Sequence, residues 1–410
     1  MGQSRATGKL LRAAIATLAV VTAGCGTPPP APTPHGTLAA PTPASPPVTA
    51  PHASAMPSAS ATPSAFASGS PVRVVSLPDS YREHRMSSDG PFVVLDEIGS
   101  ADDALASSIV FVDLLGGKWR TLATAASGYH PWTPLIRGDQ VAWVEWQYEQ
   151  PPASGACRWR IVAMNTATGR KWIVASGVNT RLEGLGAPPP PIALDGADLA
   201  YAVQDTTASR PWGWRVKAVD LDSGQMLREI ATDEEVYGFG LSGGSVAYSE
   251  GLVDSERGFV YRTRLMVSTT ADPAPRQVAA DAFEVSFRDG QLAWVADVES
   301  SQKQSGLQRT SRVWTATGPS WTPLAVTPQM PTATTEESWP AAAAGSVSFD
   351  ESDVTDASRG VPTLWLWSAR TGQAEAVPGS LGAILSSQGA GWLTWAGGLG
   401  DSVTVSGVAN

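Results

Sequence analysis

The stretch Gly138-Asp139-Gln140-Val141-Ala142-Trp143 decides the fold, because the chain keeps returning to it in altered form. Downstream come DGADLAY (Asp195 to Tyr201), GGSVAY (Gly243 to Tyr248), DGQLAW (Asp289 to Trp294) and AGSVSF (Ala344 to Phe349). Upstream lies DGPFVVL (Asp89 to Leu95), and QGAGWLTW (Gln388 to Trp395) stands near the end. A Gly-containing turn, then a small apolar residue between β-branched or aromatic neighbours, predicts a hairpin leading into a closely packed strand. Seven copies predict an array of equivalent units.

Around each copy the same parts recur. In the second unit HPWTPLIRG (His130 to Gly138) leads through the turn into VAWVEW (Val141 to Trp146), and RWRIVAMNTATGR (Arg158 to Arg170) and KWIVAS (Lys171 to Ser176) follow. The endings Thr168-Gly169, Ser223-Gly224 and Thr371-Gly372 are hairpin turns in which Gly supplies the positive φ. Alternation in WRVKAV and LWLW has the period of two that strands require. Aligned on Val93, Ala142, Ala200, Ala247, Ala293, Ser348 and Leu393, the copies are spaced by 49, 58, 47, 46, 55 and 45 residues. Four strands in a repeat of this length predict an all-β protein, a seven-bladed β-propeller of four-stranded antiparallel blades over residues 72–410. The last unit ends after its third strand, DSVTVSG (Asp401 to Gly407), and VRVVSLP (Val72 to Pro78) reads as the missing fourth. Joining the two completes the seventh blade from both ends of the chain and removes two sheet edges. A degenerate first or last unit leaves six or eight blades open.

The G-D-x-V-A-W strand and the turn seen in NTATG (Asn165 to Gly169) and DLDSG (Asp220 to Gly224) resemble those of TolB-like propellers. The resemblance covers nearly all of residues 72–410. It implies the fold and an extracytoplasmic setting, and it implies no activity. The WD dipeptide, the kelch double glycine and the sialidase box are absent from the sequence.

The first 24 residues read as an export signal, with a basic start (Arg5, Lys9, Arg12) and an apolar run from Ala13 to Val21, too short to span a bilayer. Ala23-Gly24-Cys25 resembles the lipobox of bacterial lipoproteins, with Thr22 where Leu is usual. The resemblance implies cleavage before Cys25, a lipid on its sulfur and a membrane partner on the extracytoplasmic side. An ordinary signal peptide or an uncleaved anchor is the alternative. Residues 25–71 hold no charged side chain and twelve prolines between positions 26 and 70, so they predict a disordered, partly polyproline II tether. Partly extended, with ~3 Å per residue as the limit, it reaches roughly 100 Å.

The chain carries 28 basic and 38 acidic residues, a net charge of −10. Losing Arg5, Lys9 and Arg12 with the leader leaves 25 basic residues and a net charge of −13, which argues against nucleic acid as a partner. With Cys25 assigned to the lipid, Cys157 stands alone and reads as a small buried hydrophobe. No nucleophile elbow, zinc-protease helix or phosphate loop occurs, and no cofactor or metal is implied. His84 and His130 fall near the starts of inner strands, as do five carboxylates, Glu83, Glu183, Glu235, Glu284 and Glu337, each expected just before such a strand. A propeller gathers these positions around the channel mouth, where an acidic rim attracts a cation or a basic peptide; solvated loops rich in Glu are the plainer account. Most of the sixteen Trp sit in strands and read as packing between blades. The sequence therefore points to a binding or scaffold module for another envelope protein or a small extracellular ligand. The alternative is a hydrolase or lyase acting on envelope polysaccharide or peptide with carboxylates at the channel mouth.

Overall fold

Wherever the repeating Gly occurs, the chain reverses in two residues. At Asp289-Gly290 both residues have positive φ, 49° and 77°, the twist that joins two strands tightly. The computed structural model describes residues 71–77, 83–97, 108–148, 156–180, 188–205, 213–254, 259–299, 310–326, 335–353, 363–380, 383–397 and 404–409. Cys25 and the tether lie outside them.

The described residues form 28 strands in seven four-stranded antiparallel sheets. Blade I holds β2 (Glu83–Asp89), β3 (Phe92–Glu97), β4 (Ser108–Asp113) and β5 (Lys118–Thr124). Blade II holds β6 (His130–Arg137), β7 (Gln140–Tyr148), β8 (Cys157–Asn165) and β9 (Lys171–Asn179). Blade III holds β10 (Ile192–Asp195), β11 (Asp198–Gln204), β12 (Trp214–Asp220) and β13 (Met226–Thr232). Blade IV holds β14 (Glu235–Ser242), β15 (Ser245–Asp254), β16 (Phe259–Ser268) and β17 (Arg276–Ala280). Blade V holds β18 (Ala282–Arg288), β19 (Gln291–Glu299), β20 (Thr310–Thr317) and β21 (Leu324–Ala325). Blade VI holds β22 (Thr335–Ala343), β23 (Ser346–Asp353), β24 (Thr363–Ser368) and β25 (Gln373–Ala376). Blade VII joins β26 (Ala383–Gly389), β27 (Trp392–Gly397) and β28 (Thr404–Ala409) to β1 (Arg73–Ser76), which pairs antiparallel with β28 from Arg73↔Gly407 to Ser76↔Thr404.

The first strand of each blade lies innermost, and these seven strands touch one another in cyclic order, β26 closing on β2. Each runs towards a short turn, so one face of the ring carries the turns and the other carries the connections between second and third strands. We call these the turn face and the loop face. On the turn face the recurrent Thr/Ser-Gly endings have a local cause. Thr168 and Ser223 donate main-chain N–H groups to the side chains of Asn165 and Asp220, at 2.9 and 2.7 Å, and Gly169 and Gly224 close the turns.

Hydrophobic residues are buried between blades, in seven clusters that each join two neighbours. Along every second strand, alternate residues face opposite neighbours. Trp143 reaches back to Val94 of blade I, while Ala142 faces Tyr201 of blade III. Ala200 meets Tyr248, Ala247 meets Trp294, and Ala293 meets Phe349 in the same way. The ladder corrects the sequence alignment in the end units. Phe92↔Asp89 and Trp392↔Gly389 close the turns, which puts Val94 and Thr394, rather than Val93 and Leu393, at the position of Ala142.

Removing one wedge should show how far the ring depends on it. Trp294, 1% exposed, replaced by Ala should cost about 3–5 kcal/mol in urea unfolding, whereas exposed Ile173→Ala should stay within about 0.5 kcal/mol.

Candidate functional site

At the turn face the inner strands end in residues of opposite charge, drawn together across the channel. Arg137 lies 3.3 Å from Asp89, 3.4 Å from Asp195 and 3.3 Å from Asp289. Arg288 is 2.6 Å from Asp89, donates to Ser88 O at 2.7 Å and also donates to Gln388 O. A Cβ on Gly389 would fall 2.0 Å from Arg288 Nη2, so glycine there lets the guanidinium lie against the turn. Burial and the neighbouring Arg137 lower the Arg288 pKa to about 10, against the pull of Asp89, Asp289 and Asp195. The same carboxylates hold neighbouring turns, since Gly138 N donates to Asp89 at 2.8 Å and Gly243 N to Asp195 at 2.7 Å. The network thus ties blades I, II, III, IV, V and VII and closes the channel on this face.

Above it the inner strands enclose a cavity of about 740 Å³, within the range of ligand pockets. Aromatic groups on its wall include Trp132, Tyr237, Phe239 and Phe283, and Ser87, Ser286, Ser386 and Ser387 add hydroxyls. The Arg85 guanidinium stacks 4.7 Å from the Trp132 ring, and Trp132 meets the edge of Trp146 at 6.3 Å. Burial lowers the Arg85 pKa, while Asp96 and then Glu284 act to raise it.

The inner strands carry bulges, and these rearrange the residues singled out in the sequence. Glu284 lies within β18, not before it, where the register slips between Phe283 and Ser286. Its φ of 47° is a conformation that side chains other than glycine rarely adopt, and Thr133 has 51° at the same point of blade II. Glu284 lines the cavity. Glu235, also within its strand, is 2% exposed and does not stand on a rim. Glu83, His84 and Glu337 likewise belong to inner strands, β2 and β22, and Glu183 lies outside the described residues. His130 opens β6, half-buried, with its ring 5.6 Å from that of Trp146. No group of three or more His, Cys, Asp or Glu gathers for a metal among the described residues. Cys157 is buried, and burial raises its thiol pKa to about 12, leaving it an inert thiol.

Sequence reasoning missed the network and the serines. The available signal was the residue directly before each repeating Gly, which changes from Asp89 to Arg137 to Asp195 between copies that otherwise agree.

No protein family and no curated relative matches the chain. Solved structures share its fold. The β-propeller domain of the trilobed protease from Pyrococcus furiosus aligns with TM-score 0.54 and 11% identity, over 77% of this chain and 89% of that one. That domain has an open velcro topology, whereas here β1 and β28 are paired. Pyrococcus horikoshii acylaminoacyl peptidase gives TM-score 0.53 and 11% identity over 77% of this chain, and the chain spans about half the length of that peptidase, 49%. An oligogalacturonate lyase in complex with manganese gives TM-score 0.52 and 12% identity, over 84% and 94% of the two chains. With the described residues forming 28 strands in seven blades, the protein is a seven-bladed β-propeller.

Behind the wall, Asp350 on β23 is 3% exposed, and its Oδ1 has no hydrogen-bond partner among the described residues. Burial, then the charge of Glu284, raises its pKa to about 7. A carboxyl whose folded pKa exceeds its unfolded one stabilises the fold below the unfolded value and loses that contribution as pH rises through the folded value. Asp350→Asn should therefore gain on the wild type by about 2–3 kcal/mol between pH 5 and pH 8 in urea unfolding. A pH-independent difference would show that Asp350 is ionised throughout.

Proposed function

We propose that this propeller is exported, is held to the membrane by a lipid on Cys25, and serves as a TolB-like binding module whose occupant sits in the central channel. The observation that carries the reading is the cavity of about 740 Å³, walled by aromatic and polar side chains and closed on one side by the Arg137 and Arg288 network. A cavity of that size with a few polar groups among aromatic ones is the usual form of a ligand site. The leader ending in Ala23-Gly24-Cys25 and the charge-free tether support the extracytoplasmic setting.

Both parts can be tested in cells. A palmitate analogue should label the wild type and not Cys25→Ala; absence of label on the wild type, or label persisting in the variant, refutes the anchor. A photo-reactive residue at Tyr237, on the cavity wall, should give cross-linked product that the same group at Ile173 on the outer strand β9 does not. Equal yields at the two positions would refute the channel as the site.

A second reading, a hydrolase or lyase, is favoured by Glu284 and Asp350, two carboxyls in each other's field with one pKa raised to about 7. On this reading Glu284→Gln abolishes turnover of any ligand found and keeps its binding.

A further inference from the structure

The cavity floor carries three serines at one level, two residues before the ends of β2, β18 and β26. Ser87 Oγ accepts the N–H of Ile136 at 3.4 Å, Ser286 Oγ that of Ala342 at 3.0 Å, and Ser387 Oγ that of Ser88 at 2.9 Å. In every case the donor belongs to the inner strand of the next blade. Two consequences follow from the chemistry of a hydroxyl. These main-chain donors are already used, so they give a peptide no strand edge to pair with at this level. And an oxygen that accepts an N–H keeps its own O–H to give. None of the three O–H groups meets an acceptor among the described residues, so blades I, V and VII each offer a donor at the floor.

Beneath them Arg137 and Arg288 are matched by Asp89, Asp195 and Asp289, two cations against three carboxylates. The floor therefore has no spare positive charge to hold an anion. Above it stand Trp132, Tyr237, Phe239 and Phe283, whose ring faces suit flat apolar surfaces. On the same wall Arg85, which covers one face of Trp132, and Glu284 lie in each other's field, so their opposite charges offset. Neutral oxygens below, with apolar faces and a balanced charge pair above, suit a pyranose sugar, which presents hydroxyls at its edge and C–H groups on its faces. The closed turn face adds a constraint, because a chain cannot thread through.

Resting on the reading of the channel as the binding site, we propose that it takes the end of a neutral glycan chain, its terminal sugar seated on Ser87, Ser286 and Ser387. The full-length mature protein would be applied to an array of neutral, acidic and basic oligosaccharides, and calorimetry would follow with the best neutral hexasaccharide and a neutral hexapeptide. A linear neutral oligosaccharide should bind, and a cyclic one of the same linkage, which has no end, should not. Trp132→Ala should weaken binding at least ~10-fold, and Ser286→Ala and Ser387→Ala each ~2- to 10-fold. Tyr237→Ala, at a side chain 38% exposed, supplies a variant with little risk to folding and should weaken binding severalfold.

Failure to bind any neutral oligosaccharide overturns the proposal, as does equal binding of the cyclic form. Hexapeptide binding that weakens in Trp132→Ala overturns the glycan and leaves the channel as the site. Glycan binding that neither Trp132→Ala nor Tyr237→Ala alters overturns both.

Discussion

A propeller blade must widen towards its outer edge and narrow towards the channel, and each pair of neighbours must fill the wedge between them. Here the filling is done by one repeated exchange, a large side chain reaching back into the space left by a small one: Tyr201 onto Ala142, Tyr248 onto Ala200, Trp294 onto Ala247, Phe349 onto Ala293. Alanine on one face of the second strand and an aromatic group on the other are two halves of the same contact, each meeting a different neighbour. Because buried side chains pack at near-crystalline density, neither half can change size freely. The inner strands then have little choice of position. Gly238 and Gly240 of β14 already lie so close to β18 that added Cβ atoms would approach Val285 N and Phe287 N at 2.9 and 2.6 Å.

This exchange is also why the fold was legible in the sequence. A period of two, a small residue at a fixed distance from a Gly turn and an aromatic one beside it leave a trace in every unit, and the split seventh blade follows from counting strands. The alignment is off by one residue in the end units for two reasons: Val93 and Val94 are the same residue type, so composition cannot choose between them, and Leu393 looks more like the repeat than polar Thr394 does. The pairing at the turn, Phe92↔Asp89 and Trp392↔Gly389, settles the count.

The channel was much less legible, for a physical reason. Which residues of an inner strand face the channel depends on an alternation that a bulge resets, and β6, β14 and β18 all shift register midway. Past the shift, distance from the Gly no longer tells inside from outside. Glu235 and Glu284 looked alike in sequence; one is buried and the other stands on the cavity wall. The ion pairs at the turn face were hidden differently. Asp89, Arg137, Asp195 and Arg288 are far apart in the chain, and only the closed ring brings opposite charges into contact across its centre.

The direction of β1 gives the ring a mechanical polarity. Arg73 pairs with Gly407 beside the turn face and Ser76 with Thr404 beside the loop face, so the chain joins the ring on the side that the ion pairs close. A pull applied at Arg73 towards the turn face acts along β1. Tension in that direction is shared among all the hydrogen bonds between β1 and β28 in shear, instead of peeling them apart one after another. The strand that completes the ring is thus placed to bear load end to end.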